Sequence, residues 1–306
     1  MTPSTAYQNV VLFVVSVITA AWLWMLSFRI GFRIGFRLPE WVAITVLMWI
    51  PGLVAVGMRL ALREGFGDVG WELGHWRFWL WAYLGPLVLA SLSILLGVIF
   101  GRVALAPHLS DQTMLDAVWF SLPWPVRNSS AAGLLWQRFL SVATVGMVPG
   151  YILAFGEELG WRGYLLPRLV QGAWPVPLVF TGLVWGVWHF PLFFLTGYAH
   201  GAIVLSLFMF TLLTILFGIF IGWLRLASGS VFVAAMAHAS FNGFVQSFYG
   251  TSLGADQEWF WIGDYGLFVL APYLGLVAWL WWSGRLLKIP YYFRADLQTT
   301  TKKGEG

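Results

Sequence analysis

Apolar residues in this chain come in long blocks, with little of the alternation expected of strands or the narrow stripe of a surface helix. With about 20 apolar residues as the length of a membrane-crossing helix, the blocks predict eight spans, at residues 7–28, 39–61, 78–101, 135–156, 175–196, 202–224, 230–249 and 263–283. The expected fold is all-α, a polytopic membrane protein of about eight transmembrane helices around a buried polar site. Two blocks are weak. The fourth leads into a pair of glutamates, and the seventh is short and holds His238 and Asn242. Polar helices of this kind are tolerated in a membrane where neighbouring helices shield them from lipid. The first block lacks an A-x-A-like cleavage site and is long enough to span, so it reads as a retained helix and not as a removable signal peptide.

The pattern divides the chain into three stretches. Residues 1–134 hold the N-terminal helices and a connection, 135–250 a helical core, and 251–306 the last helix and a polar tail. The connection over 102–134 mixes Pro107, Pro123 and Pro125 with Trp119, Phe120 and Trp124, which predicts an interfacial amphipathic segment and not a flexible linker.

Composition strengthens the membrane reading. Only 10% of residues are charged against 59% hydrophobic, where soluble domains carry about 25% charged residues. A soluble surface cannot be built from so few charges. Many of the 21 Trp, 25 Phe and 10 Tyr lie near block ends, as interfacial belts require. Cysteine is absent, which excludes disulfides and thiolate metal sites. The net charge of +4 is carried mainly by loops and the tail, which argues for membrane orientation and against nucleic-acid binding. Arg285, Lys288, Arg294, Lys302 and Lys303 place the tail in the cytoplasm, and an even number of spans places the N-terminus there too. The RIGFRIGFR stretch sits awkwardly on the far side. Its Arg29, Arg33 and Arg37 follow an i, i+4, i+8 spacing and form one helical stripe able to reach lipid headgroups.

Charged groups inside such blocks are expensive, about 2.5–3.5 kcal/mol each at a helix centre, and therefore point to function. In the stretch EELGWR, Glu158 and Arg162 are four apart and share a helical face, while Glu157 points about 100° away. That separates a structural pair from a glutamate free to face a cavity. Arg168 adds positive charge at the helix end, near the interface. WGVWH sets Trp185 and His189 on one stripe, and HASFN sets His238 and Asn242 one turn apart. Converging in a bundle core, these groups supply what peptide hydrolysis needs: a base for water and donors for the oxyanion. Taken singly, each has a plainer reading, as a salt bridge, a packed histidine or an interhelical asparagine.

The three stretches resemble the motifs of the CPBP family, the type II CAAX prenyl proteases and their bacteriocin-processing or Abi relatives. E-E-x-x-x-R is met by Glu157, Glu158 and Arg162, and aromatic-x-x-x-His by Trp185 and His189, with Trp where Phe is commoner. The His-x-x-x-Asn motif is met by His238 and Asn242. The resemblance covers 135–250 and implies an eight-helix intramembrane glutamic endopeptidase, multi-pass in the bacterial cytoplasmic membrane. In it Glu157 would activate water with His189, His238 and Asn242 would stabilise the oxyanion, and Glu158 and Arg162 would brace the helix. Trp185 would wall the pocket. The partners implied are membrane lipids and a membrane-anchored or lipidated peptide or protein substrate, the CAAX label pointing to a prenylated one. No cofactor is expected. Zn2+ on the same residues is the alternative, although there is no H-E-x-x-H and the adjacent glutamates share no face. A proton-coupled transporter and a non-catalytic immunity or scaffold protein remain the other readings, though no paired inverted repeat of interrupted helices is visible.

Overall fold

The apolar blocks fold as helices whose lengths follow the blocks closely. The computed structural model describes residues 3–102 except 34, 36 and 37, then 131–172, 174, 176–249 and 259–286. In chain order the helices are α1 Pro3–Arg33, α2 Glu40–Leu62, α3 Trp76–Ile99, α4 Ala131–Ala143 and α5 Met147–Gly160. A wide π-helical turn, Trp161–Leu165, joins α5 to α6 Leu166–Gln171. There follow α7 Pro177–Trp188, α8 Phe190–Leu195, α9 Ile203–Ser228 and α10 Val231–Phe241, which runs into a second π segment, Asn242–Tyr249. Last come α11 Trp259–Ile262 and α12 Leu267–Trp282. Among the described residues no strand forms, and Trp71 and Ser230 make an isolated bridge.

Six spans are long and apolar enough to cross a membrane: Tyr7–Gly31, Trp41–Leu62, Trp76–Ile99, Pro177–Leu195, Ile203–Ser228 and Trp259–Trp282. Trp136–Ala143 and Met147–Gln171, bent by 50° at their junction, make a seventh if counted as one. The protein is thus an all-α, multi-pass membrane protein, with six or seven such spans among the described residues instead of eight. With the bent pair counted as one span, the block at 230–249 accounts for the difference. Its α-helix has only 11 residues, and Val233, Ala234, Ala235, Ala237 and Ala239 are each fully buried. It is an inner helix, apolar because protein surrounds it. Ser230 caps its start by accepting a hydrogen bond from the Val233 amide at 3.3 Å.

Exposure is inverted relative to a soluble protein. Leu12, Leu23 and Leu26 of α1 and Leu84, Leu92 and Leu95 of α3 are each more than 40% exposed, whereas Glu158 and Arg162 are fully buried. Helix α1 continues past the predicted end at 28 to Arg33, with Arg29 exposed on it. Arg37 of that arginine stripe, the interfacial segment over 103–130 and the tail over 287–306 lie outside the described residues.

Two glycine pairs set how closely the central helices approach. A Cβ on Gly156 would lie 2.8 Å from the Trp49 ring, and one on Gly160 would lie 2.5 Å from Pro51 Cβ, so α5 rests directly on α2. A Cβ on Gly182 would meet Ile215 Cα at 2.6 Å, and one on Gly186 the Thr214 hydroxyl at 2.6 Å, so α7 rests on α9. Both pairs are small-x-x-x-small motifs, which bring membrane helices into backbone contact. Gly156 and Gly160 bracket the two glutamates, and Gly182 and Gly186 bracket Trp185. The glycines thus place the polar residues at the helix contacts.

Candidate active site

The α5 rod carries Glu157 and Glu158 in its last turn and Arg162 in the π turn that follows. Glu158 and Arg162 form the pair expected from their spacing: Arg162 Nη1 donates to Glu158 Oε1 at 2.8 Å, both side chains fully buried. The same oxygen also meets His238 Nδ1 at 2.9 Å. Glu158 therefore ties α5 to α10 in addition to bracing its own helix, a contact that helical faces alone did not indicate. Because a carboxylate accepts, the bond fixes a proton on His238 Nδ1 and turns Nε2 toward other partners.

Glu157 is 2% exposed and points elsewhere. Its Oε2 accepts from the indole Nε1 of Trp185 at 2.7 Å and from that of Trp161 at a longer 3.4 Å. Among the described residues Oε1 takes no hydrogen bond. Trp161 lies four residues beyond Glu157, so the helical repeat that linked Glu158 to Arg162 would also have found it.

His189 occupies the turn between α7 and α8, where Pro191 opens the short second helix. Its Nδ1 lies 2.8 Å from the Trp185 carbonyl. A carbonyl can only accept, so Nδ1 carries the proton and Nε2 is the basic nitrogen. The rings of Trp188 and Phe210 meet His189 edge to face, with centroids 4.6 and 4.8 Å away. Trp188 lies within the WGVWH stretch, whereas Phe210 comes from α9 with no sequence signal of its own.

His238 is buried, and the Trp185 ring stands edge-on to it at 5.0 Å. Asn242 is 7% exposed at the point where α10 widens into its π segment. Its side chain makes no hydrogen bond to the other candidates among the described residues. Glu157, Glu158, Arg162, Trp185, His189 and His238 thus form one linked cluster, and Asn242 lies one turn beyond His238. Both π turns open beside this cluster. Such turns are rare and concentrate at functional sites. Among the described residues no group of three His, Asp or Glu side chains is arranged to hold a metal ion.

A second charged group surrounds the first π turn. Arg59 of α2 pairs with Asp68 at 2.6 Å and donates to the Gly163 carbonyl at 2.8 Å, while Arg225 of α9 donates to the Arg162 carbonyl at 3.2 Å. Arg168 is 1% exposed and paired with Glu64 and Asp68, so it is interior to the protein and not at the interface.

Residues 139–244 match the family model described as type II CAAX prenyl endopeptidase Rce1-like. The matched stretch contains every candidate residue, from Glu157 to Asn242. A comparison with curated proteins finds no match.

Proposed function

We propose that this chain, a member of the CAAX-type intramembrane protease family through residues 139–244, is a metal-free glutamic endopeptidase. In this reading the core over 135–250 carries the chemistry and Glu157 is the base. The observation that carries it is the two-sided environment of that buried carboxyl group: two indole N–H groups hold Oε2, and among the described residues Oε1 takes no hydrogen bond.

Water bound between Glu157 Oε1 and His189 Nε2 gives a proton to Glu157 as its oxygen attacks the scissile carbonyl carbon. Negative charge builds on the carbonyl oxygen, and preorganised donors there are the largest single source of rate. His238 Nε2 and the Asn242 amide are those donors. For His238 to donate from both nitrogens it must be cationic, and Glu158 is its counter-charge. Glu157 then passes its proton to the departing amide nitrogen as the C–N bond breaks. The second proton of the water also passes to the amine, so the products are a carboxylate and a protonated amine, and Glu157 is restored.

The substrate is a membrane-associated protein, prenylated at a C-terminal cysteine in the CAAX manner, reached from the lipid of the bacterial cytoplasmic membrane. Glu157→Gln tests the reading in the full chain reconstituted in lipid, with cleavage of a membrane peptide followed by mass spectrometry. An isosteric amide keeps the fold and thermal midpoint. It should lower kcat by about 10²–10⁴-fold, the usual worth of a positioned base. Cleavage at the wild-type rate would remove the mechanism. Loss of activity on chelation, restored by stoichiometric Zn2+, would replace it with a metal-dependent one.

A further inference from the structure

One residue joins both groups that would activate water. Through its side chain Trp185 donates to Glu157 Oε2 at 2.7 Å, and through its backbone carbonyl it accepts from His189 Nδ1 at 2.8 Å. Its ring also lies 4.7 Å from the Arg162 guanidinium carbon and stands edge-on to His238 at 5.0 Å. The residue is 3% exposed, and the neighbouring Gly186 holds it against α9.

We propose that Trp185 is a positioning residue that orients the Glu157 carboxylate for water activation by hydrogen-bonding one of its two oxygens. The proposal rests on the reading of Glu157 as the base. A carboxylate in a dry site turns toward the strongest donor within reach. Here the nearby charged donor is Arg162, which interacts electrostatically with Glu157 and whose Nε and Nη2 have no hydrogen-bond partner among the described residues. A Glu157 that paired with Arg162 would be neutralised and turned away from water. The indole prevents this in two ways: its face covers the guanidinium, and its N–H fixes Oε2 so that Oε1 stays open. An indole N–H is a neutral donor, so it orients the carboxylate without supplying a counter-charge. Phenylalanine, the commoner aromatic in this motif, would cover Arg162 equally but has no N–H to give. The contact is thus a feature of this chain beyond the motif itself. Trp161 cannot replace it, because its N–H stands 3.4 Å away.

The link to Glu157 runs through the side chain and the link to His189 through the backbone, so one can be cut alone. Trp185→Phe does this, and so does replacement of Trp185 by 3-benzothienylalanine, in which sulfur takes the place of the N–H and the ring shape is kept. Both variants, with Trp161→Phe and Glu157→Gln, are assayed in the reconstituted full chain. The expected result is a kcat about 10- to 100-fold lower for both Trp185 variants, the worth of one hydrogen bond to a charged group. KM should stay within about twofold and the thermal midpoint unchanged, while Trp161→Phe should lose less than about threefold, as its longer bond implies. In infrared difference spectra against Glu157→Gln, the carboxylate band assigned to Glu157 should shift when the indole N–H is absent. A wild-type kcat and an unmoved band in the sulfur isostere, with Glu157→Gln inactive, would overturn the role of Trp185 and leave the glutamate mechanism standing. A wild-type rate in Glu157→Gln would overturn both.

Discussion

Two groups of charged side chains lie within this membrane protein, and their partners differ in kind. In the outer group, Arg59, Arg168, Glu64 and Asp68 match cation to carboxylate, and spare N–H groups of Arg59 and Arg225 reach backbone carbonyls of the π turn. Of these side chains only Arg168 leaves a buried nitrogen, Nε, without a partner among the described residues. The inner group sets two glutamates beside one arginine and His238, which both bond the same oxygen of Glu158. Among the described residues Glu158 Oε2 and two nitrogens of Arg162 stay unpartnered, and Glu157 is held by indoles instead of a cation. Charge matched by charge gives a clamp. A carboxylate held by neutral donors keeps its capacity to take a proton, which suits the inner group for chemistry and the outer group for holding the helix that carries it.

The largest effect is expected from removing the inner group's arginine. Arg162→Leu leaves the fully buried Glu158 with His238 alone, and breaking a buried pair from one side costs about 3–5 kcal/mol. Thermal unfolding in detergent should show a collapse of stability and yield, with Arg162→Lys in between because lysine keeps the charge but not the planar fork. A melting curve for Arg162→Leu equal to that of wild type would mean that the inner group does not depend on its pair. In the outer group Arg59→Leu should cost less, about 1.5–3 kcal/mol, because Asp68 is 28% exposed and can turn to water. Its distinguishing mark would be local: faster hydrogen exchange across Trp161–Leu165, as Gly163 loses its side-chain donor. Unchanged exchange there would break the link between the clamp and the π turn.

The difference between the two groups was only partly legible in the sequence. Glu158 with Arg162 followed from spacing, because an α-helix sets such residues on one face. The membrane fold followed from block length. Hydropathy could not show that Val231–Phe241 is enclosed by protein and not by lipid, because both surroundings accept the same alanines and valines. The π turn was hidden as well: its carbonyls accept from Arg59 and Arg225, which are distant in the chain. For the same reason Arg168 read as interfacial, since its partners Glu64 and Asp68 lie about 100 residues away. The contact between His238 and Glu158 arises from packing across helices. Two signals were present and unread, namely Trp161 four residues after Glu157 and the glycine pairs at 156, 160, 182 and 186.

The smallest effect sharpens the comparison most. Asp68→Asn removes a negative charge from the outer group while keeping its shape, and Arg59 keeps its bonds to the Gly65 and Gly163 carbonyls. Arg168 keeps Glu64. The backbone carbonyl of residue 68 still accepts from Arg225, an interaction the substitution does not touch. With so many links left, and with Asp68 partly solvated, the loss should stay below about 1 kcal/mol, the usual range for a water-accessible ion pair. It should also shrink as ionic strength rises, since salt screens only the charges that water reaches. Measured as thermal midpoints in low and high salt, a small and salt-sensitive loss for Asp68→Asn beside a large and salt-insensitive one for Arg162→Leu would separate a redundant clamp from a cluster with no spare partners. Equal losses with equal salt dependence would mean that both groups are held in the same way, and the division of labour drawn between them would fail.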